Sequence, residues 1–264
     1  MAGVFTKILS MIPAGLKKKM RRYTNNRYAE GLKKHHKSDR FMNLGYVTNE
    51  KMILSPEDEP HRLNLQLYNE LLKTVNIDDK NVLEVGCGLG GGCYYLTKYH
   101  SPASVIGIDL ADKNILLCNE NYNIPNLKFY AMDAENVDFK NAAFDIIVNL
   151  ESSHGYPARD TKFCSEVVRL LKPGGYFAYG DLLVERDFES FTNALMAAGM
   201  IKISERNVTE AIMQARHHVK FNVEKLPFYM PKSVYKNFVV TTDSEAYSAM
   251  AKGVFLFKLF IFQK

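Results

Sequence analysis

This 264-residue sequence predicts an α/β protein. Its fold is a doubly wound sheet of seven strands, with a helical arm ahead of it and an insertion before the last strand. Three observations predict it. Val82-Leu83-Glu84-Val85 is an apolar strand that runs into Gly86-Cys87-Gly88-Leu89-Gly90-Gly91-Gly92, and Cys93-Tyr94-Tyr95-Leu96 opens a helix behind it. Glycines there let the chain turn sharply and let a ligand approach the backbone. Val105-Ile106-Gly107-Ile108-Asp109 is a second strand ending in an acid, 23 residues after Gly86. Further strand-length apolar runs alternate with helical patterns, as crossovers between parallel strands require.

The elements follow in order. Residues 1–60 read as a basic amphipathic arm. Phe5, Ile8, Leu9, Ile12, Leu16 and Met20 recur at helical spacing, and Pro13 kinks or divides that helix. Three readings of residues 1–40 stand: a lid over the site, an amphipathic segment on an anionic membrane surface, or a targeting or disordered segment. Residues 61–264 read as the second unit. Arg62–Val75 is a helix feeding the first strand. Leu127–Tyr130 and Phe144–Asn149 are the third and fourth strands, with Lys113–Asn123 and Thr161–Leu171 as helices on the sheet faces. Tyr176–Asp181 is the fifth strand, and Phe188–Ala198 is a helix closed by Gly199. Ile201–Val208 is the sixth strand. Gly253–Phe262 is a hydrophobic last strand, with a membrane-inserting tail as its alternative. Between these two strands, residues 209–251 form an insertion rich in aromatics (Phe221, Phe228, Tyr229, Tyr235, Phe238, Tyr247). It reads either as ordinary packing or as a cap over an apolar substrate pocket.

The glycine spacing selects the ligand. A dinucleotide loop reads G-x-G-x-x-G and holds a pyrophosphate. Here the pattern is Glu84-x-Gly86-x-Gly88-x-Gly90. A carboxylate at that place repels pyrophosphate and suits an ammonium. S-adenosyl-L-methionine carries an ammonium, a sulfonium and a ribose but no phosphate. Asp109 would accept from both ribose hydroxyls. Cys87, inside the loop, reads as a small residue that fits there rather than as a nucleophile.

Charge and cysteines narrow the class. The chain carries +5 overall, yet residues 1–40 carry +9, so the remainder is acidic. A nucleic-acid enzyme spreads basic residues around its active face, so nucleic acid is a weak candidate. The fourth strand ends Asn149-Leu150-Glu151-Ser152, without the Asn/Asp-Pro-Pro-aromatic signature of enzymes acting on base amines. Four cysteines (Cys87, Cys93, Cys118, Cys164) form neither a metal pattern nor a secreted disulfide framework. They suit a reducing, cytoplasmic setting, with peripheral membrane contact through residues 1–40 as the variant. No metal site is expected: no His/Asp/Glu spacing suits one, and Asp181-Leu182 lacks the Asp-Asn pair of magnesium-dependent catechol-type enzymes.

These motifs resemble the class I S-adenosyl-L-methionine-dependent methyltransferases, closely over residues 81–183. The resemblance implies the Rossmann-like methyltransferase sheet. It places Glu84, Gly86, Cys87, Gly88, Gly90, Asp109 and Leu110 at the cofactor. Asp133 and Ala134, in Ala131-Met132-Asp133-Ala134, fall in the segment flanking the adenine, and Asn149 ends the fourth strand beside it. Leu170-Leu171-Lys172-Pro173-Gly174-Gly175 is similar to the family's turn into the fifth strand. Phe41-Met42-Asn43-Leu44-Gly45-Tyr46 resembles a segment that closes over the cofactor, with Tyr46 as the expected contact.

Catalysis should sit at the carboxyl ends of the strands. Glu151 and His154 follow the fourth strand and Asp181 ends the fifth, so the three should converge near the methyl group. Transfer to a hydroxyl requires loss of its proton. A neutral histidine can take it while a carboxylate orients the ring. The alternative is that His154 only shapes the pocket and proximity does the work. His217 and His218 read as surface or cap structure.

Glu151-Ser152-Ser153-His154-Gly155-Tyr156-Pro157 with Asp181 is similar to small-molecule O-methyltransferases. With Pro56-Glu57-Asp58-Glu59-Pro60-His61-Arg62 and Asp133-Ala134-Glu135-Asn136 it resembles, more closely, the phthiotriolone/phenolphthiotriolone dimycocerosates methyltransferases. The expected partner is therefore an apolar, lipid-like or polyketide alcohol. Methylation of an amine or carbon on a phosphobase or sterol-like substrate is the alternative, and a silent cofactor-binding partner of another methyltransferase is a third reading.

Overall fold

The computed structural model describes residues 40–218 and 231–264, together with residues 15, 16, 19, 22, 23 and 26. The strands are β1 (Asn81–Val85), β2 (Ser104–Asp109), β3 (Leu127–Ala131), β4 (Phe144–Leu150), β5 (Leu171–Leu183), β6 (Ile201–Asn207) and β7 (Leu256–Gln263). They form one sheet in the order β3-β2-β1-β4-β5-β7-β6. The first five run parallel, and β7 is antiparallel to both of its neighbours, β5 and β6. The order reverses between β1 and β4, and a doubly wound sheet binds its ligand at the carboxyl edge there.

Helices cover both faces. On one lie α1 (Arg62–Leu72), α2 (Gly91–Tyr99) and α3 (Asp112–Asn121), and on the other lie α4 (Cys164–Leu170) and α5 (Glu185–Ala197). Leu65, Leu67, Leu71 and Leu72 bury the apolar side of α1, as its spacing requires. The helix expected over Thr161–Leu171 begins instead with a turn of π-helix, Arg159–Phe163. The insertion is helical, with α6 (Thr209–His217), α7 (Lys232–Phe238) and α8 (Glu245–Ala251). Ile212 and Met250 bring it onto the face that carries α1 and α2.

The last strand is interior. Phe257, Leu259, Phe260, Ile261 and Phe262 are buried, and Lys258 pairs with Glu185 (2.6 Å) and Glu205 (2.8 Å). This removes the membrane-inserting alternative for that segment. β6 is the exposed edge. Among the described residues, no helix is long and apolar enough to cross a membrane.

Residues 40–58 run without helix across the domain, and Leu44 is buried in its core. The stripe of Phe5, Ile8, Leu9, Ile12 and Met20 lies outside the described residues. Arg22 pairs with Asp112 (3.4 Å), and Asn26 bonds both Asp112 and the Lys113 N–H at the start of α3.

Candidate active site

The turn after β1 is fastened to the end of β2. Gly86 and Cys87 N–H both donate to the Ile108 carbonyl (2.8 and 3.0 Å), and Gly88 N–H donates to Asp109 Oδ2 (3.0 Å). Gly86 has φ +75°, and a Cβ there would overlap Ser152 Oγ and lie 2.8 Å from Tyr156 OH. Only glycine fits. Asp109 Oδ1 accepts from Ala111 N–H (2.8 Å) and Asn114 Nδ2 (3.3 Å), which fixes the carboxylate before any ligand arrives.

Two lobes of open space meet at Gly86 and Asp109. One, of about 390 Å³, is lined by Leu110, Met132, Asp133, Ala134 and Tyr156 among others. The other, of about 540 Å³, is lined by Cys87, Gly88, Glu151 and Ser152, and by Arg40, Phe41, Met42 and Asn43 from the segment that crosses the loop. The first lobe carries Asp109, Asp133 and Glu135 and no Lys or Arg. Such a lining rejects phosphate and accepts a cationic nucleoside, so the residues present fit S-adenosyl-L-methionine.

Three cofactor residues expected from sequence sit elsewhere. Tyr46 lines neither lobe: its N–H donates to the Leu63 carbonyl (2.9 Å), and contact with the loop falls to Phe41, Met42 and Asn43. These three belong to the same segment as Tyr46. Glu84 lies beneath the loop, where it accepts from Tyr68 OH (2.6 Å) and Cys93 Sγ (2.9 Å). Burial pushes its pKa up to about 7, and Tyr68 rather than Glu84 reaches the second lobe. Asn149 is wholly buried. Its Nδ2 lies within hydrogen-bond reach of the Val85 carbonyl, Ser152 Oγ and Tyr156 OH, so it braces the site from below.

The other end of the cleft is built from β4 and β5. Glu151, at φ +52°, holds a left-handed turn that costs roughly 1–3 kcal/mol. The turn is held by the Glu151 N–H on the Gly180 carbonyl (2.8 Å) and returns residues 152–154 over the end of β5. There the wholly buried Asp181 accepts four bonds. His154 Nδ1 (2.8 Å) and Leu182 N–H (2.8 Å) reach Oδ1, and Ser153 Oγ (2.6 Å) and His154 N–H (2.9 Å) reach Oδ2. Burial alone would raise this carboxyl, but the His154 charge and these donors outweigh it and hold its pKa below the usual range. A carboxylate only accepts, so Nδ1 carries a proton, and in the neutral ring Nε2 is the acceptor. The His154 side chain is 50% exposed, so Nε2 can be reached.

Glu151 does not touch His154. Its Oε1 accepts from Leu44 N–H (2.9 Å). Burial pushes its pKa up to about 8, opposed by the Leu44 bond and Arg216 and reinforced by Asp181. Sequence reasoning missed Tyr156, although it lies in the run already singled out, and it missed Arg216, for which no local pattern exists. Of the aromatics in the insertion, Tyr235 is buried, Tyr247 pairs with His217 (2.8 Å) and Phe238 is exposed. Phe221, Phe228 and Tyr229 lie outside the described residues. Ordinary packing accounts for Tyr235 and Tyr247.

Residues 83–179 match the family model described as a methyltransferase domain. A probable phthiotriol/phenolphthiotriol dimycocerosates methyltransferase 2 of Mycobacterium ulcerans is 36% identical over 214 residues, covering 77% of this chain and 81% of that protein. The phthiotriol/phenolphthiotriol dimycocerosates methyltransferase of Mycobacterium tuberculosis is 39% identical over 176 residues. That match covers 66% of this chain and 65% of the relative, just under two thirds of its length. A crystal structure of geranyl diphosphate C-methyltransferase from Streptomyces coelicolor superposes with a TM-score of 0.67 at 16% identity, over 96% of this chain and 99% of that one, a likeness of fold alone. With the strand order, the glycine turn and the acid-lined cleft, these matches place the chain in the class I S-adenosyl-L-methionine-dependent methyltransferases of the phthiotriol/phenolphthiotriol dimycocerosates methyltransferase type.

Proposed function

We propose that this protein transfers the methyl group of S-adenosyl-L-methionine to a hydroxyl of an apolar, lipid-like small molecule. The observation that carries this reading is the His154–Asp181 pair, with Nδ1 fixed on a buried carboxylate and the ring half-exposed. Bound in the cleft, the cofactor supplies an electrophilic methyl group on a cationic sulfur. Asp109 would hold the ribose, Leu110, Asp133 and Ala134 would flank the adenine, and Cys87, Gly88 and the 40–43 segment would enclose the amino-acid end. His154 Nε2 takes the proton of the acceptor hydroxyl as its oxygen attacks. Asp181 holds the ring in the productive tautomer and balances the imidazolium charge. An amine acceptor would need this base far less. The names of the mycobacterial relatives support a lipid acceptor. Arg22 and Asn26, bonded at the start of α3 beside Leu110, favour the lid reading of residues 1–40 over the membrane one.

The acceptor is found by incubating the protein with methyl-labelled cofactor and a lipid and metabolite extract, and weighing the labelled product. Turnover is then measured with that acceptor. His154→Ala should reduce it by roughly 10²–10⁴ and leave S-adenosylhomocysteine binding nearly intact. If His154→Ala keeps more than about a third of wild-type turnover while methyl transfer is rate-limiting, proximity does the catalysis and the base assignment is wrong.

A further inference from the structure

Leu44 is gripped on both sides of its peptide unit by side chains distant in sequence. Its N–H donates to Glu151 Oε1 (2.9 Å), and its carbonyl accepts from Arg216 Nη1 (2.8 Å). Arg216 is buried and spends its other donors on the Val239 carbonyl (2.7 Å) and the Val240 carbonyl (3.1 Å). One guanidinium thus joins the end of α6, the turn after α7 and the segment that crosses the glycine loop. That segment delivers Arg40, Phe41, Met42 and Asn43 to the second lobe of the cleft. A Cβ at Gly88 would lie 3.1 Å from Met42 Sδ, so segment and loop are in contact. Glu151 lines the same lobe, at the methyl end.

We infer that Arg216 is a positioning residue for the cofactor: with Glu151 it clamps the Leu44 peptide, and so makes closure of residues 40–46 over the cleft depend on the insertion. The physical reason is the fork. A planar guanidinium satisfies three carbonyls in fixed directions at once, whereas any one of those bonds alone would leave the segment free to swing. The segment has no helix or strand of its own to hold it. Its other main ties are the Tyr46 N–H on Leu63, the Asn43–Asn64 bonds and the Arg40–Asp58 pair, all of which lead to α1 or the turn before it. Among the described residues, Arg216 is the side chain that ties it to the insertion, beside a longer backbone bond from the Val47 N–H to the Ala211 carbonyl (3.4 Å). The charged and titratable groups facing Glu151 are Asp181 from β5, Arg216 from α6 and Tyr68 from α1. Without Arg216, Glu151 would keep only like-charged or neutral company.

The inference rests on the cofactor and not on the acceptor, so its test reads binding. S-adenosylhomocysteine affinity by calorimetry and amide hydrogen exchange without ligand are measured for wild type and Arg216→Met. The dissociation constant should rise about 10-fold. Exchange should speed up at residues 40–46 and 239–240, while β4 and β5 amides keep wild-type protection. A purely structural role would instead loosen the whole sheet. A rise below about threefold, or one without faster exchange at Leu44, overturns the inference. Should Arg216→Met fail to fold, Arg216→Lys keeps the charge but not the fork, and the same two readouts decide. Glu151→Gln keeps an acceptor for the Leu44 N–H and should retain slow exchange there, whereas Glu151→Ala should lose it.

Discussion

The two halves of the cleft are built by different means. At the β1–β2 half, Asp109 is held by Gly88, Ala111 and Asn114, two of them through backbone N–H groups, and all from the adjoining loop or helix start. At the β4–β5 half, Asp181 gathers Ser153 and His154 from another strand end, and Glu151 gathers Leu44 from 107 residues away. A site made of local backbone is rigid and indifferent to most side chains. One made of distant side chains depends on several buried charges remaining in the right ionisation state, and is where single substitutions and pH should act. Asp181 and Glu151 sharpen the point. Asp181 is wholly buried in β5 and Glu151 is half-buried just past β4, yet four donors hold the first below the usual carboxylate range while the second, with a single N–H donor, is pushed up to about 8.

The largest effect expected on binding is at the first half. Asp109→Ala should cost on the order of 2–3 kcal/mol in S-adenosylhomocysteine affinity by calorimetry, because charge-assisted bonds to the ribose and the loop brace are lost together. Unchanged binding in a folded variant would remove Asp109 from the site.

Asp181→Asn should lower turnover by roughly 10-fold or more, yet less than loss of His154, since shape survives while charge and tautomer control are disturbed. Its stability signature is separate. A carboxyl whose folded pKa lies below the unfolded value adds stability above about pH 4, and loses it as pH falls through the folded value. The variant's melting temperature should therefore decline less than wild type's on acidification. Parallel declines would mean that Asp181 gains nothing from its four donors.

Glu151 should behave in the opposite sense. Its folded pKa of about 8 lies above the ordinary 4.5, so folding takes up a proton between them. Stability then falls as pH rises from about 4.5 to about 8 and levels beyond. Glu151→Gln should remove that slope in urea titrations at pH 5 and pH 9. Equal slopes in both proteins would show that Arg216 keeps Glu151 ionised throughout.

The smallest contrast is between two glycines with nearly the same backbone. Gly174→Ala, at φ +77° with nothing within 4 Å, should cost about 1 kcal/mol from conformation alone. Gly86→Ala, at φ +75° against Ser152 and Tyr156, should cost clearly more by denaturant unfolding. Equal costs would mean that the contact between the two halves at Gly86 yields easily.

Much of this was legible without a structure. The glycine turn, the acid at the end of β2 and the run of strands can be read because each is a local demand: a left-handed backbone, a fixed spacing, an apolar stretch of strand length. The pairing of His154 with Asp181 followed from the rule that parallel strands end on one edge. For Tyr46 and Glu84, sequence supplies the segment and the strand but not the rotation that decides which side chain faces the cleft. Nothing local marks Arg216, whose meaning lies in three carbonyls contributed by residues 44, 239 and 240. The sequence by itself determined the sheet, its ligand edge and the β1–β2 half of the cleft, since these rest on short-range backbone geometry. Only the tertiary structure decided the β4–β5 half, because its charges are set by partners that meet only when the chain has closed.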